Sequence, residues 1–186
     1  MADKLRLRLQ KLRTQMAAHQ LDGLLIWRAD MFSGEEVRPC DERLAMISGF
    51  TGSAGYALIL ADSAYLFSDG RYHLQMEHQL DKAYWQWRDS GPDALAMLLQ
   101  ELTGISDALQ IGYDAQTTTL AQARRLPSKA GYHGLIWQAL SESFIAKIWD
   151  DRPVHQATSA FALSDNRTGS FIVSLSSCII KRRARK

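Results

Sequence analysis

The sequence predicts an α/β fold, in which helices pack against a largely parallel central sheet that contains one local hairpin. Short β-prone apolar runs alternate with amphipathic stretches along most of the chain. The apolar runs 56–60 and 65–67 are joined by a tight connection, which indicates a hairpin. The other strands are separated by helical segments, and this alternation favours parallel pairing.

The amino-terminal elements follow from the spacing of apolar residues. Residues 3–19 are predicted to form an amphipathic helix, because apolar side chains recur at steps of three and four. This stripe consists of Leu5, Leu9, Leu12 and Met16. The continuous apolar run within residues 21–27 indicates a buried strand. Residues 28–43 contain Gly, Pro and many charges and are predicted to form a loop, followed by a short helix or turn at 44–48.

After the hairpin, residues 71–80 are predicted to form a helix that Asp69 and Gly70 open. Trp85 and Trp87 alternate with polar residues, which is typical of a strand. A further helix begins near Pro92, because proline favours the first helical turn and four leucines then mark an apolar face.

The last elements continue the alternation. We predict a strand at 109–113, a helix at 117–126, a strand at 132–137 and a short helix at 143–149. After Pro153 the sequence becomes polar and ends in a basic cluster, Lys-Arg-Arg-Ala-Arg-Lys. We therefore expect one domain at 1–153, and a linker with an atypical basic tail at 154–186 that reflects truncation or an altered reading frame.

The composition excludes several classes of function. Of the net charge of +2, the last six residues contribute five positive charges, so the preceding 180 residues carry −3. An acidic body does not favour nucleic-acid binding. No apolar run approaches ~18 residues, so no membrane interaction is predicted. The chain shows no signal-peptide pattern, which predicts a cytoplasmic location, and Cys40 and Cys178 are expected to be free thiols.

A glycine-rich segment with Gly49, Gly52 and Gly55 precedes the hairpin. It matches neither nucleotide-binding glycine pattern, and it leads into a strand where a phosphate loop leads into a helix. A tight backbone crossing is therefore favoured over a phosphate site. Ser53 lacks a glycine two positions before it, so no nucleophile elbow, and no catalytic residue, is predicted.

The segment Asp69-Gly70-Arg71-Tyr72 has two interpretations. In the first, Asp69 caps the turn and Arg71 pairs with an acid such as Asp114. In the second, Arg71 faces a substrate. The first interpretation is favoured by the residues alone.

His73, Glu77 and His78 form the densest group of metal-ligand residue types. His73 and Glu77 share a face of the predicted helix, but His78 lies about 140° away from His73. A solvated helix face is therefore predicted, and no metal site.

Five stretches, in this order, resemble the amino-terminal domain of the creatinase/prolidase metallopeptidases, most closely the three-domain Xaa-Pro aminopeptidases. They are D-G-L-L-I at 22–26, S-G-F-T-G-S-A-G-Y-A-L-I at 48–59, S-D-G-R-Y-H-L-Q at 68–75, G-Y-D at 112–114 and K-I-W-D-D-R-P at 147–153. The resemblance implies an α/β fold with a mixed, largely parallel central sheet flanked by helices. It also implies that Arg71 and Tyr72 lie at the rim of a substrate pocket, and that the glycine-rich segment, Asp69 and Gly70 are structural.

For a full-length parent, the resemblance implies removal of an amino-terminal residue that precedes proline. Two divalent metal ions, usually manganese, would act in a carboxy-terminal domain, held by two Asp, one His and two Glu. None of these ligands can be matched here, so we expect a chain truncated before the catalytic domain, without a cofactor of its own and inactive alone. Its expected partners are that domain, a second copy in a homodimer and, in the parent, a peptide.

Two other functions remain open from the sequence. One is a stand-alone peptide- or protein-binding module derived from the same domain, as in peptidase-like domains of histone chaperones that lack hydrolysis. The other is a small-molecule site at the glycine-rich segment.

Overall fold

A six-stranded mixed sheet forms the centre of the structure, a computed structural model that describes residues 2–103, 109–126, 135–141 and 143–154. These residues belong to one compact unit, Met1–Val154. The predicted tail, with Cys178, lies outside the described residues except for Val154, and the boundary after Pro153 stays a prediction.

The sheet has the strand order β4-β3-β2-β1-β5-β6. The strands are β1 (Gly23–Trp27), β2 (Tyr56–Leu60), β3 (Ala64–Ser68), β4 (Gln86–Asp89), β5 (Leu109–Asp114) and β6 (Leu135–Leu140). β2 pairs antiparallel with β1 and β3, whereas β1–β5, β3–β4 and β5–β6 are parallel. The predicted mixed, largely parallel α/β sheet and its hairpin are therefore confirmed. The antiparallel pairing of β1 with β2 differs from the parallel pairing expected outside the hairpin.

Six helices flank the sheet in the described part of the chain. They are α1 (Ala2–Ala18), α2 (Arg43–Ser48), α3 (His73–Gln79), α4 (Ala94–Thr103), α5 (Leu120–Arg125) and α6 (Phe144–Ile148). None of the helices in the described residues is long and apolar enough to cross a membrane.

Alternating side chains of the central strands fill two cores, one on each face of the sheet. In β1, Leu24 and Ile26 pack with buried residues of α1, α2 and α6, whereas Leu25 packs on the opposite face with leucines of α4. The period of two along a strand produces this division. A central sheet covered on both faces explains why the strand sequences are almost continuously apolar.

Several element boundaries differ from their predicted positions. The predicted helix at 117–126 begins only at Leu120, because the Thr119 side chain and Gln122 form a capping box. The predicted helix at 71–80 is divided into a 3₁₀ turn, Gly70–Tyr72, and α3. The predicted strand at 132–137 overlaps β6, which continues to Leu140 in register with β5; residues 132–134 lie outside the described residues.

Candidate functional site

The glycine-rich segment and the Asp69 turn lie side by side, where β2 begins and β3 ends. The antiparallel register pairs Tyr56, which begins β2, with Phe67 near the end of β3. The residues just before β2 therefore neighbour those just after β3. Ser68 Oγ donates a hydrogen bond of 2.6 Å to the Ala54 carbonyl and ties the two segments together.

Two glycines of this segment have a left-handed backbone. Gly49 ends α2 with φ +80°, and its N–H bonds the Ala45 carbonyl. Gly55 has φ +149°, and a Cβ placed there would lie 2.7 Å from the Phe67 carbonyl oxygen. Gly52 faces the Phe50 ring, 2.1 Å from where its Cβ would be. The segment thus passes very close to its neighbours.

Asp69 holds Arg71 in a two-point ion pair. The Asp69 carboxylate accepts the Arg71 backbone N–H at 3.1 Å and caps the 3₁₀ turn. The same carboxylate accepts Arg71 Nε and Nη2, each at 2.8 Å. The Arg71 hydrogen bond lowers the pKa of Asp69 to about 2, whereas Asp69 raises the pKa of Arg71. The Arg71 side chain is 72% exposed, and Nη1 lies outside this pair.

Tyr72 connects this ion pair to the glycine-rich segment. Its hydroxyl shares a hydrogen bond with Ser53 Oγ, and its ring meets Phe50 edge-on at 5.8 Å between centroids. The Arg71 guanidinium carbon lies 5.3 Å from the Tyr72 ring centroid. We call Ser53, Asp69, Arg71 and Tyr72 the rim surface. Its Arg71 guanidinium is exposed, whereas the Tyr72 ring is half-buried against the core and its hydroxyl binds the exposed Ser53.

Two further polar groups extend the rim surface along α3. Thr51 shares hydrogen bonds with Gln75 and Gln79, with Gln79 Oε1 accepting the Thr51 N–H at 2.9 Å. These glutamines received no role from the sequence, although their spacing of four residues places both on one helix face.

His73, predicted to lie on a solvated helix face, has specific partners. Its Nε2 lies 2.9 Å from Asp89 Oδ1, and its ring lies 4.9 Å from the Trp87 ring. In the described ranges, no three His, Cys, Asp or Glu side chains are grouped so that they could hold a metal ion. The two-metal donor set expected of a parent enzyme therefore does not fit these residues, and we derive no step through a metal.

Arg71 does not pair with Asp114, so that part of the structural interpretation is wrong. Asp114 ends β5, where its Oδ2 lies 3.8 Å from Arg43 Nε. Arg43 in turn lies 3.4 Å from the buried Asp41 carboxylate. The sequence could not reveal the contact between Arg43 and Asp114, because it joins α2 and β5, which are far apart in the chain. Arg71 pairs instead with Asp69, two residues before it.

Arg28 fixes the glycine-rich segment from the other side. Its Nη1 donates to the Ser53 carbonyl at 2.8 Å, and its Nη2 pairs with Glu42 at 2.7 Å. Its backbone N–H also donates to the Gly55 carbonyl at 3.1 Å. Arg28 lies in the predicted loop and was missed, since nothing in its neighbourhood in sequence marks it.

The Asp69–Arg71 pair predicts a measurable titration. We expect the Asp69 carboxyl group to titrate at a pKa of about 2 and, in Arg71→Gln, to shift upward by about one pH unit toward the ordinary ~3.9. Because the folded-state pKa is depressed, the pair stabilises the fold above about pH 4 and is lost as the pH falls toward about 2.

Carbon-detected NMR of the Asp69 carboxyl would check this titration. Lys82→Gln, which breaks the exposed Glu77–Lys82 pair, is a matched control that should leave the Asp69 midpoint unchanged. An equal Asp69 midpoint in Arg71→Gln and the wild type would contradict the two-point pair.

Residues 8–139 match the family described as the Creatinase/Prolidase N-terminal domain. The chain belongs to this family. It is also similar to proteins named Probable Xaa-Pro aminopeptidase P. The one from Laccaria bicolor is 37% identical over 165 residues, which cover 87% of this chain and 25% of the relative. The one from Pyrenophora teres f. teres is 35% identical over 148 residues, or 78% of this chain and 22% of the relative. The chain thus spans about a quarter of the length of these curated relatives.

Solved structures share the fold. X-prolyl aminopeptidase from Caenorhabditis elegans, described as a cytosolic enzyme with a di-nuclear active site, aligns with a TM-score of 0.76 at 23% identity. The alignment covers 96% of this chain and 32% of that one. The N-terminal domain of the peptidase PepQ from Mycobacterium tuberculosis aligns with a TM-score of 0.58 at 23% identity, over 76% of this chain and 97% of that one.

Proposed function

We propose that this chain is the non-catalytic amino-terminal domain of a metal-dependent Xaa-Pro aminopeptidase, and that its rim surface shapes substrate access. The observation that carries the proposal is the 37% identity to a protein of that name over 87% of this chain. Chemistry would belong to a following domain, which would hold two divalent metal ions. The expected homodimer is part of the same proposal, as is a cytoplasmic location, by analogy with the cytosolic C. elegans enzyme.

The chemistry of the rim surface supports a contact with peptide backbone. Asp69 neutralises Arg71 and fixes its guanidinium plane, so the exposed Nη1 edge is oriented in advance for a carbonyl oxygen. Tyr72 adds an aromatic face and a hydroxyl held by Ser53. Because Asp69 neutralises the charge of Arg71, the ion pair is expected to bind an uncharged peptide carbonyl in preference to a carboxylate ligand.

A chimaeric enzyme tests this role. Residues 1–153 would replace the matching quarter of the Laccaria bicolor relative, and kcat/KM would be measured on an Xaa-Pro tripeptide. We expect Arg71→Gln in the chimaera to lower kcat/KM by about tenfold, the size of one charged hydrogen bond. Lys82→Gln should leave it unchanged. Equal kcat/KM for the chimaera and its Arg71→Gln variant would refute the rim role.

The isolated chain provides a second test. With added Mn²⁺ it is expected to leave an Xaa-Pro peptide uncleaved, since the five ligands of the parent site have no match in the sequence. Turnover that co-purifies with the chain and disappears with a chelator would overturn the proposal.

A stand-alone binding module is the second candidate, because the exposed rim surface needs no catalytic domain to contact a peptide. Isothermal titration of the chain with a Pro-containing peptide separates the two functions. Micromolar affinity of the isolated chain would favour the binding module.

A further inference from the structure

The segment that follows α6, residues 149–153, is held against the rest of the domain by charged contacts on both sides. This stretch is part of the sequence K-I-W-D-D-R-P and contributes no residue to the rim surface. Its two consecutive acids bind three basic residues of α1, and the arginine that follows them binds two residues of the loop after β1.

The first side of this contact is a row of basic residues on α1. Lys4 and Arg8 both bind the Asp151 carboxylate, at 2.7 and 2.5 Å, and Lys11 binds Asp150 at 2.8 Å. Steps of four and three residues place the three cations on one helix face. Arg8 is only 13% exposed, and it also donates to the Met46 carbonyl at 2.9 Å. The row therefore joins α1, α2 and the segment after α6.

The second side is formed by Arg152. Its Nε donates to the Cys40 carbonyl at 2.7 Å, and its Nη2 lies 3.2 Å from Asp41 Oδ1. The Asp41 side chain is 6% exposed and also accepts Arg38 Nη2 at 2.8 Å. The Arg152 guanidinium carbon lies 5.9 Å from the Trp149 ring centroid, within the distance of a cation–π contact.

We propose that Asp150, Asp151 and Arg152 form an electrostatic clasp that fixes the path of the chain where it leaves the sheet domain. Isolated exposed ion pairs contribute little. Here several charges share partners, and two of those partners, Arg8 and Asp41, are largely buried and therefore weakly screened by salt. Hydrogen bonds from Lys4 and Arg8 lower the pKa of Asp151 to about 2, so this carboxylate stays charged at neutral and mildly acidic pH.

The clasp gives the exit segment a constant position relative to α1 and the turn Pro39–Asp41. A role of the clasp in catalysis rests on the proposed function, because the fixed segment would matter there by holding a following catalytic domain in one orientation. The clasp itself is a property of the chain alone. Its test and the chimaera test can therefore fail independently.

Amide hydrogen exchange measured by mass spectrometry on the full chain tests the clasp. In the variant D150N/D151N/R152Q we expect amides of residues 149–154 to exchange at least about tenfold faster, while peptides from β2 and β3 keep their protection. Lys82→Gln, which removes an exposed ion pair elsewhere, should change neither region. Unchanged exchange at 149–154 in the triple variant would overturn the clasp.

A milder variant covers the case in which the triple variant unfolds. K4Q/K11Q removes only the two exposed cations and should speed exchange of residues 149–154 by about threefold. For the wild type, raising NaCl from about 0.1 to about 1 M should have an effect of the same size, since it screens those same pairs. Equal exchange at both salt concentrations, together with equal exchange in K4Q/K11Q, would show that Lys4 and Lys11 do not hold the segment, and would overturn the clasp as described, in which they bind its two acids together with Arg8.

Discussion

Gly55→Val is expected to lower the free energy of unfolding by about 3 kcal/mol or more. The backbone at Gly55 has φ +149°, a region essentially restricted to glycine, and forcing a β-branched residue into it costs about 1–3 kcal/mol. The new Cβ would also lie 2.7 Å from the Phe67 carbonyl oxygen, which belongs to β3 and cannot move without disturbing the hairpin. Urea denaturation of the purified chain measures the change.

Gly91→Val is the matched control for this substitution. A Cβ at Gly91 would meet nothing within 4 Å, and its backbone is not in the left-handed region. We expect a change of less than about 1 kcal/mol there. Equal denaturation midpoints for Gly55→Val and the wild type would show that the glycine-rich segment is not under the constraint described.

Asp41→Asn is expected to destabilise the fold by about 3 kcal/mol. Asp41 is the common partner of Arg38, Arg43 and Arg152, and Arg43 is only 7% exposed. Removing one member of a buried pair leaves an uncompensated charge, which costs about 3–5 kcal/mol. The lower end of this range applies because Asp114 remains 3.8 Å from Arg43 and keeps part of the compensation.

The same denaturation measurement checks this expectation, with Glu77→Gln as the control. Glu77 forms an exposed pair with Lys82, and its loss should cost less than about 1 kcal/mol. If Asp41→Asn lowered the free energy of unfolding no more than Glu77→Gln does, other groups would have to compensate the charges of the three arginines, and the described ion network would be incorrect.

Helices and strands were predictable wherever the apolar spacing was strong and local. The stripe of α1 and the hairpin of β2 and β3 depend on residues close in sequence, and both were found in their expected places. The capping by Asp69 could also be predicted, because a cap bonds a backbone group only two residues away.

Contacts between distant segments could not be predicted from spacing. Arg152 meets Asp41 across 111 residues, and Ser53 meets Tyr72 only because β2 and β3 bring their two segments together. Each such pair depends on tertiary packing that no local pattern encodes. The sequence therefore predicted the turn that holds Asp69, Arg71 and Tyr72, but not the bond between Tyr72 and Ser53 or the ion pair between the Asp69 and Arg71 side chains.

The position of β1 in the sheet has a consequence for how the chain folds. On one side β1 joins the hairpin of neighbouring strands, whereas on the other Asp22 exchanges hydrogen bonds with Gln110, 88 residues away. Closing so long a loop costs chain entropy before any contact compensates for it. The three-stranded meander of β1, β2 and β3 can therefore assemble early as a template, and the final two strands add to its open side once that surface exists.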